Sequence, residues 1–367
     1  LVLIDQNLSI PDSNRLQRGI VMHTGFFFSD PWNSESSATN SKPLTVCYLC
    51  DTTAWFRHTV LYTIWKQLQP CSTELFAQPE QPFLCSSIYV PSSNLIFTTA
   101  ESDLRSFSSC PALHTHWISL HNWMQRSILQ QHQEVLQYSW KEYQTYRRRA
   151  TSLQAAAQSL CTSYAAHNKQ GILSKPCQTF CRKQLAERFP VRATPGSCSI
   201  RQLAAHTPSG FQIAPLPANW NIFVLEDDWL YAGGLCIKHL AAAAKQRGYR
   251  CILSYNPCLL EPTPCHLLLP QIQTAVLSSN LFAPYPGTAQ ARYNLHTFYQ
   301  KDFRQKEAVH APFNRSIIRS LFQESAGMLS IAAKIDAVTQ PYYQEALLPH
   351  AAEQAAASIL QVLSNVL

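Results

Sequence analysis

NIFVLEDDWLYAGGLCIKHL, residues 221–240, decides how the rest of the chain is read. An apolar run ends at Glu226, polar and small residues follow, and a run of helix formers begins at Ala232. A strand, a loop and a helix in that order outline a phosphate-binding element, in which backbone N–H groups at the helix start cradle the anion. The lysine that would reach a nucleotide's β- and γ-phosphates is missing.

The outline occurs twice, and a repeat of this length governs the fold. LTVCYLCD (44–51) parallels WNIFVLED (220–227), with Leu49 against Leu225 and Asp51 against Asp227 at the same offset. Ahead of each strand stand His-Thr and Gly-Phe, in IVMHTGFF (20–27) and LAAHTPSGF (203–211). Behind each strand come a helical stretch (AWFRHTVLYTIWKQL from 54, AGGLCIKHLAAAAKQRG from 232) and a short strand (TELF from 73, CILSY from 251). The fragments IYVP (88–91) and LLLP (267–270) then precede a third strand, NLIFTT from 94 and TAVLSS from 274. This alternation of strands and helices predicts parallel sheets covered by helices.

Each α/β part ends in helix. Between Trp117 and about Lys169, apolar residues recur at three and four: Met124 and Ile128; Leu136, Trp140 and Tyr143; Ala150, Leu153, Ala157, Leu160 and Tyr164. Gly171 supplies a stop. The second half shows helical spacing over 316–339, a break at Pro341 and an alanine-rich helix from His350. A Pro/Gly/Ser cluster around 190–199 marks the junction.

A P-loop reads GxxxxGK[ST], with the lysine on the phosphates and the hydroxyl on Mg²⁺. Anchored on the strand ends, the second copy places Gly233 and Gly234 at the lysine and hydroxyl positions, and the first copy places Arg57 and His58 there, followed by Thr59. Aspartate stands where the first loop glycine is needed in both copies, at Asp51 and Asp227, and no Gly-Lys dipeptide occurs. The third strands carry Thr98 and Ser278 where an acid would serve Mg²⁺.

In order of elements the chain is similar to an uncharacterised bacterial family of duplicated, tandem P-loop ATPase-like proteins. Each half of that family opens on a motif close to R-x-L-F-A-x-A-x-T-P-x-G and then carries a strand and G-x-P-G-T-G-K-S-T. Arg201-Gln-Leu-Ala-Ala-His-Thr-Pro-Ser-Gly210-Phe matches the opening, and Lys245-Gln-Arg-Gly248-Tyr249 resembles the end of the family's first helix. The resemblance implies an α/β fold of two tandem P-loop NTPase-like three-layer domains, each a parallel sheet with helices on both faces and a helical extension. They span 1–190 (extension about 117–185) and 191–367 (extension about 300–367).

With the phosphate loop altered in both halves, the function implied is a non-hydrolysing binding or scaffold protein, working through a protein partner or self-association. The alternative is a nucleotide-binding ATPase or switch whose altered site uses Arg57. The residues assigned to nucleotide or anion binding are Asp51, Arg57, His58, Thr59, Asp227, Asp228, Gly233, Gly234 and Lys238. No catalytic residue and no metal ligand is assigned; the cofactor the alternative implies is ATP or another nucleotide with Mg²⁺.

Composition sets the remaining bounds. Hydrophobic residues make up 46% of the chain and charged residues only 14%, which excludes a disordered polyelectrolyte. The +7 charge is spread over 367 residues. Its densest run, Arg147-Arg148-Arg149, lies in a helical pattern and reads as a solvated face, so a nucleic-acid partner is not expected. No apolar run reaches the 18 residues of a membrane span, and the opening residues lack the pattern of a signal peptide, so a cytoplasmic location is expected. Thirteen cysteines, including Cys177-x-x-x-Cys181, Cys258 and Cys265, read as reduced structural thiols.

Overall fold

The computed structural model describes residues 26–27, 44–68, 73–79, 81–99, 115–185 and 188–363. The repeat motif at 20–25 lies outside them. Two six-stranded mixed sheets account for most of the strands.

The first sheet contains β1 (Phe26–Phe27), β2 (Thr45–Cys50), β3 (Glu74–Gln78), β4 (Gln81–Val90), β5 (Leu95–Thr98) and β6 (Thr115–Ser119), in the order β1-β3-β4-β5-β2-β6. Helix α1 (Ala54–Gln67) links β2 to β3. The second sheet contains β7 (Ser197–Ile200), β10 (Asn221–Glu226), β11 (Arg250–Tyr255), β12 (Pro264–Leu269), β13 (Thr274–Ser279) and β14 (Ala291–Asn294). Read from β7, its order is β7-β11-β12-β13-β10-β14, the same arrangement. A hairpin, β8 (Ala204–Thr207) with β9 (Gly210–Ile213), precedes β10, and a helix from Ala232 to Gln246 follows it.

The sequence pattern predicts parallel sheets, but both sheets are mixed. β4 runs antiparallel to β3 and β5, and β12 antiparallel to β11 and β13. The fragments IYVP and LLLP are the ends of these reversed strands. Trp117, read as the start of a helix, lies in β6, which pairs parallel with β2.

The layers also differ from helices on both faces of each sheet. Alternation along the strands sends Cys47, Leu49, Leu95 and Phe97 to one face, against Phe56, Val60, Leu61 and Ile64 of α1. Val46, Phe76, Tyr89 and Ile96 point the other way, into a cluster shared with Ile252, Leu268, Ala275 and Leu277 of the second sheet. The hairpin adds Leu203, Ala205 and Ala214. The second sheet turns Phe223, Leu225, Cys251, Leu267 and Val276 toward its own helix. The order of layers is therefore helix, sheet, sheet, helix. Strands buried on both faces read as continuous apolar runs whatever covers them.

The remaining helices are α2 (Arg126–Gln131), α3 (Gln133–Asn168), α4 (Ser174–Phe180), α5 (the Ala232–Gln246 helix), α6 (Lys301–Glu345) and α7 (Ala351–Val362). α3 and α6, about 54 and 68 Å long at 1.5 Å per residue, lie antiparallel. The His132 and Tyr342 rings meet at a tilt, Ser325 Oγ donates to the Ala150 carbonyl at 2.9 Å, and His167 meets Glu307 at 2.8 Å. α6 passes through both Pro312 and Pro341 and ends at Glu345, so the break falls four residues beyond Pro341. Packing along α3 outweighs the one hydrogen bond each proline removes.

The long helices carry each half's last helix to the opposite half. α7 packs on α1 through Ala351, Ala352, Ala355, Ala356 and Ile359. α4, continued by a π-helical turn over Cys181–Leu185, packs on α5 through Cys177 and Cys181. Matching backbone bridges clamp each crossing. Gln125 N–H donates to the Ala346 carbonyl at 2.7 Å and Leu348 N–H to that of Trp123 at 3.0 Å; Leu173 N–H donates to Phe298 at 2.7 Å and Gln300 N–H to Gly171 at 2.9 Å.

Candidate functional site

The loops after β2 and β10 lie at the carboxyl ends of parallel strands, where open α/β sheets bind ligands. The α3–α6 pair runs above both.

In the second half, the helix start that would receive a phosphate is filled by the protein's own side chains. The chain leaves β10 at Glu226, and Asp227 folds back so that its Oδ2 accepts the Gly233 N–H at 2.7 Å. The Ala232 N–H donates to the Tyr299 hydroxyl at 3.1 Å. Two first-turn donors of α5 are thus satisfied internally, as an end cap and its dipole require. Asp227 is buried, and that burial pushes its carboxyl up to about 6, against the pull of the Gly233 hydrogen bond. The turn needs a left-handed residue and takes it at Leu230 (φ 62°), where a phosphate loop would use glycine.

The two glycines serve packing. A Cβ on Gly233 would stand 2.5 Å from Ser278 Oγ, and one on Gly234 would stand 2.6 Å from Thr263 Cγ2. They let α5 approach the sheet closely. Lys238 is exposed on the second turn of α5.

Beside this helix start is a cavity of about 580 Å³, bordered by Glu226, Asp228, Asn280, Arg292, His296 and Arg315. Both of its arginines are already engaged. Arg292 lies 3.5 Å from Glu226 and donates to the carbonyls of Tyr285 and Gly287. Arg315, reaching down from α6, bonds Tyr164 of α3 at 3.2 Å and the Asp228 carbonyl at 3.5 Å. His296 titrates below its ordinary value because it is partly buried and faces Arg304 and Arg315.

The first half is arranged differently. Thr53 caps α1 by accepting the Phe56 N–H at 3.3 Å. Asp51, at φ 62°, is exposed and held below the usual carboxylate range by hydrogen bonds from Ser119 and Cys50. Arg57 turns sideways, its Nη1 donating to the Thr99 carbonyl at 3.4 Å, with Asp336 of α6 close enough to feel its charge. His58 faces inward: its Nδ1 accepts the Cys85 N–H at 2.7 Å, and burial lowers its pKa to about 4. Thr59 bonds back to the Trp55 carbonyl at 2.9 Å.

Of the residues assigned from sequence, the structure brings Asp227, Asp228 and Gly233 together at one helix start. Asp51 alone of the first set opens to solvent at the loop; Arg57, His58 and Thr59 are directed elsewhere. Sequence reasoning missed Tyr299, in the bridge just ahead of α6, and Arg315 and Asp336 of α6, which are distant in sequence and carry no local signal. Among the described residues no helix is long and apolar enough to cross a membrane.

No protein-family model, curated protein or solved structure matches the chain.

Proposed function

We propose that the chain is a non-hydrolysing binding or scaffold protein, built by internal duplication of a P-loop-like α/β unit. The shared strand order of the two sheets and their reciprocal helix exchange support the duplication. The observation that carries the function is the Asp227 Oδ2 to Gly233 N–H bond of 2.7 Å. A phosphate at that helix start would meet a carboxylate already in place, and the two charges would repel in a buried site. Arg57 offers no substitute while it bonds the Thr99 carbonyl.

The test is thermal unfolding of the full chain with and without millimolar Mg-ATP or Mg-GTP, alongside a phosphate-release assay. The expected result is no rise in Tm and no release above buffer. A nucleotide present at one hundred times its dissociation constant would add about 2.7 kcal/mol. A Tm increase of that order, or hydrolysis that Arg57→Ala abolishes, would overturn the proposal.

A further inference from the structure

The two exchanged helices hold on by different means. α7 buries five residues against α1, four of them alanine. α4, its counterpart on α5, buries Cys177 alone. Its other apolar contact is the partly buried Phe180, against Tyr293 and Phe298. What it presents to α5 is sulfur. The Sγ atoms of Cys177, Cys181 and Cys236 all lie within 4.8 Å of one another, with Cys177 and Cys236 at 3.0 Å. None of the three residues is more than 2% exposed.

Each helix contributes a matched pair. Cys177 and Cys181 are four apart, Cys236 and His239 three apart, and both spacings put side chains on one face of a helix. His239 Nε2 is buried and finds no hydrogen-bond partner among the described residues. The α-helix gives way to a π-helical turn at Cys181, a local widening common at functional sites.

We infer that Cys177, Cys181 and Cys236, with His239 as fourth ligand, form a structural zinc site that fastens the arm of the first half to the helix of the second. Three thiolates and an imidazole are a donor set zinc takes in closed tetrahedral sites. With Zn–S near 2.3 Å, the sulfurs of such a site stand about 3.8 Å apart, between the 3.0 Å pair here and the 4.8 Å bound. The sulfurs are already grouped; His239, one helical turn along α5 from Cys236, lies outside that grouping and would have to reorient to join it.

Zinc would replace the thiol protons of the three cysteines, which leave to solvent. A disulfide would engage only two of the three sulfurs.

The experiment uses the full chain purified under reducing conditions without chelator. Native mass spectrometry and elemental analysis should find one zinc per chain. Exchange for cobalt(II) should give thiolate-to-metal charge-transfer bands and tetrahedral ligand-field bands. Cys177→Ser and Cys236→Ser should each lower cobalt affinity at least tenfold, and Cys198→Ser, at an exposed cysteine, should not. Failure of the wild-type chain to bind stoichiometric zinc or cobalt would overturn the site, and so would a native Cys177–Cys236 disulfide. Both are read on the wild type, so they decide the matter even if a serine variant does not fold. An unchanged cobalt spectrum in His239→Ala would overturn the fourth ligand.

Discussion

Arg201 Nε lies 2.6 Å from Glu74 Oε2, and this pair joins the two halves of the chain. Arg201 follows β7 and Glu74 opens β3; their side chains are 4% and 14% exposed. Arg250 adds a weaker contact to Glu74 at 3.5 Å. Breaking a buried pair leaves one charge without compensation and costs about 3–5 kcal/mol. Arg201→Ala should therefore lower the stability of the whole chain by that amount in urea. Arg201→Met combined with Glu74→Leu should recover most of it, because no charge is left stranded. Equal losses in the single and double variants would show that the pair is not what joins the halves.

Asp227 sets a pH dependence of known sign. Burial raises its carboxyl from 3.8 to about 6. Between about pH 4 and 6 the folded chain holds a proton that the unfolded chain releases, so this residue's contribution falls as pH rises. Above pH 6 the full cost remains, up to about 3 kcal/mol. Asp227→Asn keeps an oxygen for the Gly233 N–H without the charge. It should be more stable than wild type at pH 8, with the difference vanishing near pH 4. A loss of stability at pH 8 would mean that the charge itself is needed.

Three buried histidines act in the opposite sense. Burial lowers His58 and His206 to about 4 and His266 to about 3. Unfolded, each takes a proton near pH 6.5; folded, each resists it. Stability is complete above pH 6.5 and is lost as pH falls toward 4, by about 3 kcal/mol for each histidine. Asp227 offsets only part of this. His206 packs at a tilt against the rings of Phe211 and Phe322, and neither of its ring nitrogens finds a partner among the described residues. His206→Phe should flatten the urea midpoint's fall between pH 6.5 and 4. A variant with an unchanged pH profile would remove His206 from the account.

Gly234 tests the packing role of the altered loop. Alanine raises helix propensity by about 1 kcal/mol, yet its Cβ would meet Thr263 Cγ2 at 2.6 Å and the Pro264 carbonyl at 3.2 Å. Overpacking of this kind costs about 1–3 kcal/mol. Gly234→Ala should lower Tm, and a rise would show that α5 can shift away from the sheet.

Much of this architecture is legible in the sequence, and the exceptions have physical causes. TVCYLC and NIFVLE read as strands, and the helices behind them read to within a residue or two, because an apolar run passes into helical spacing. The reversed strands were seen only as fragments, since proline and cysteine interrupt the pattern in QPFLCSSIYV and PTPCHLLL. An apolar strand does not record whether helix or sheet covers it, so the layer order was not legible. Asp227 could be read as a cap, but Tyr299 and Arg315 could not be read as neighbours. The i, i+4 spacing of Cys177 and Cys181 was visible; Cys236, a further 55 residues along from Cys181, gave no sign that it meets them.

The exchanged helices impose an order on synthesis. Val60 and Ile64 of α1 precede the second sheet in sequence, yet the alanine face that covers them begins at Ala351, beyond it. A ribosome delivers the chain from its N-terminus, so α1 emerges with a bare apolar side and waits for α7. The first half cannot close until the whole second sheet has been made, and synthesis of α7 is the event that covers α1.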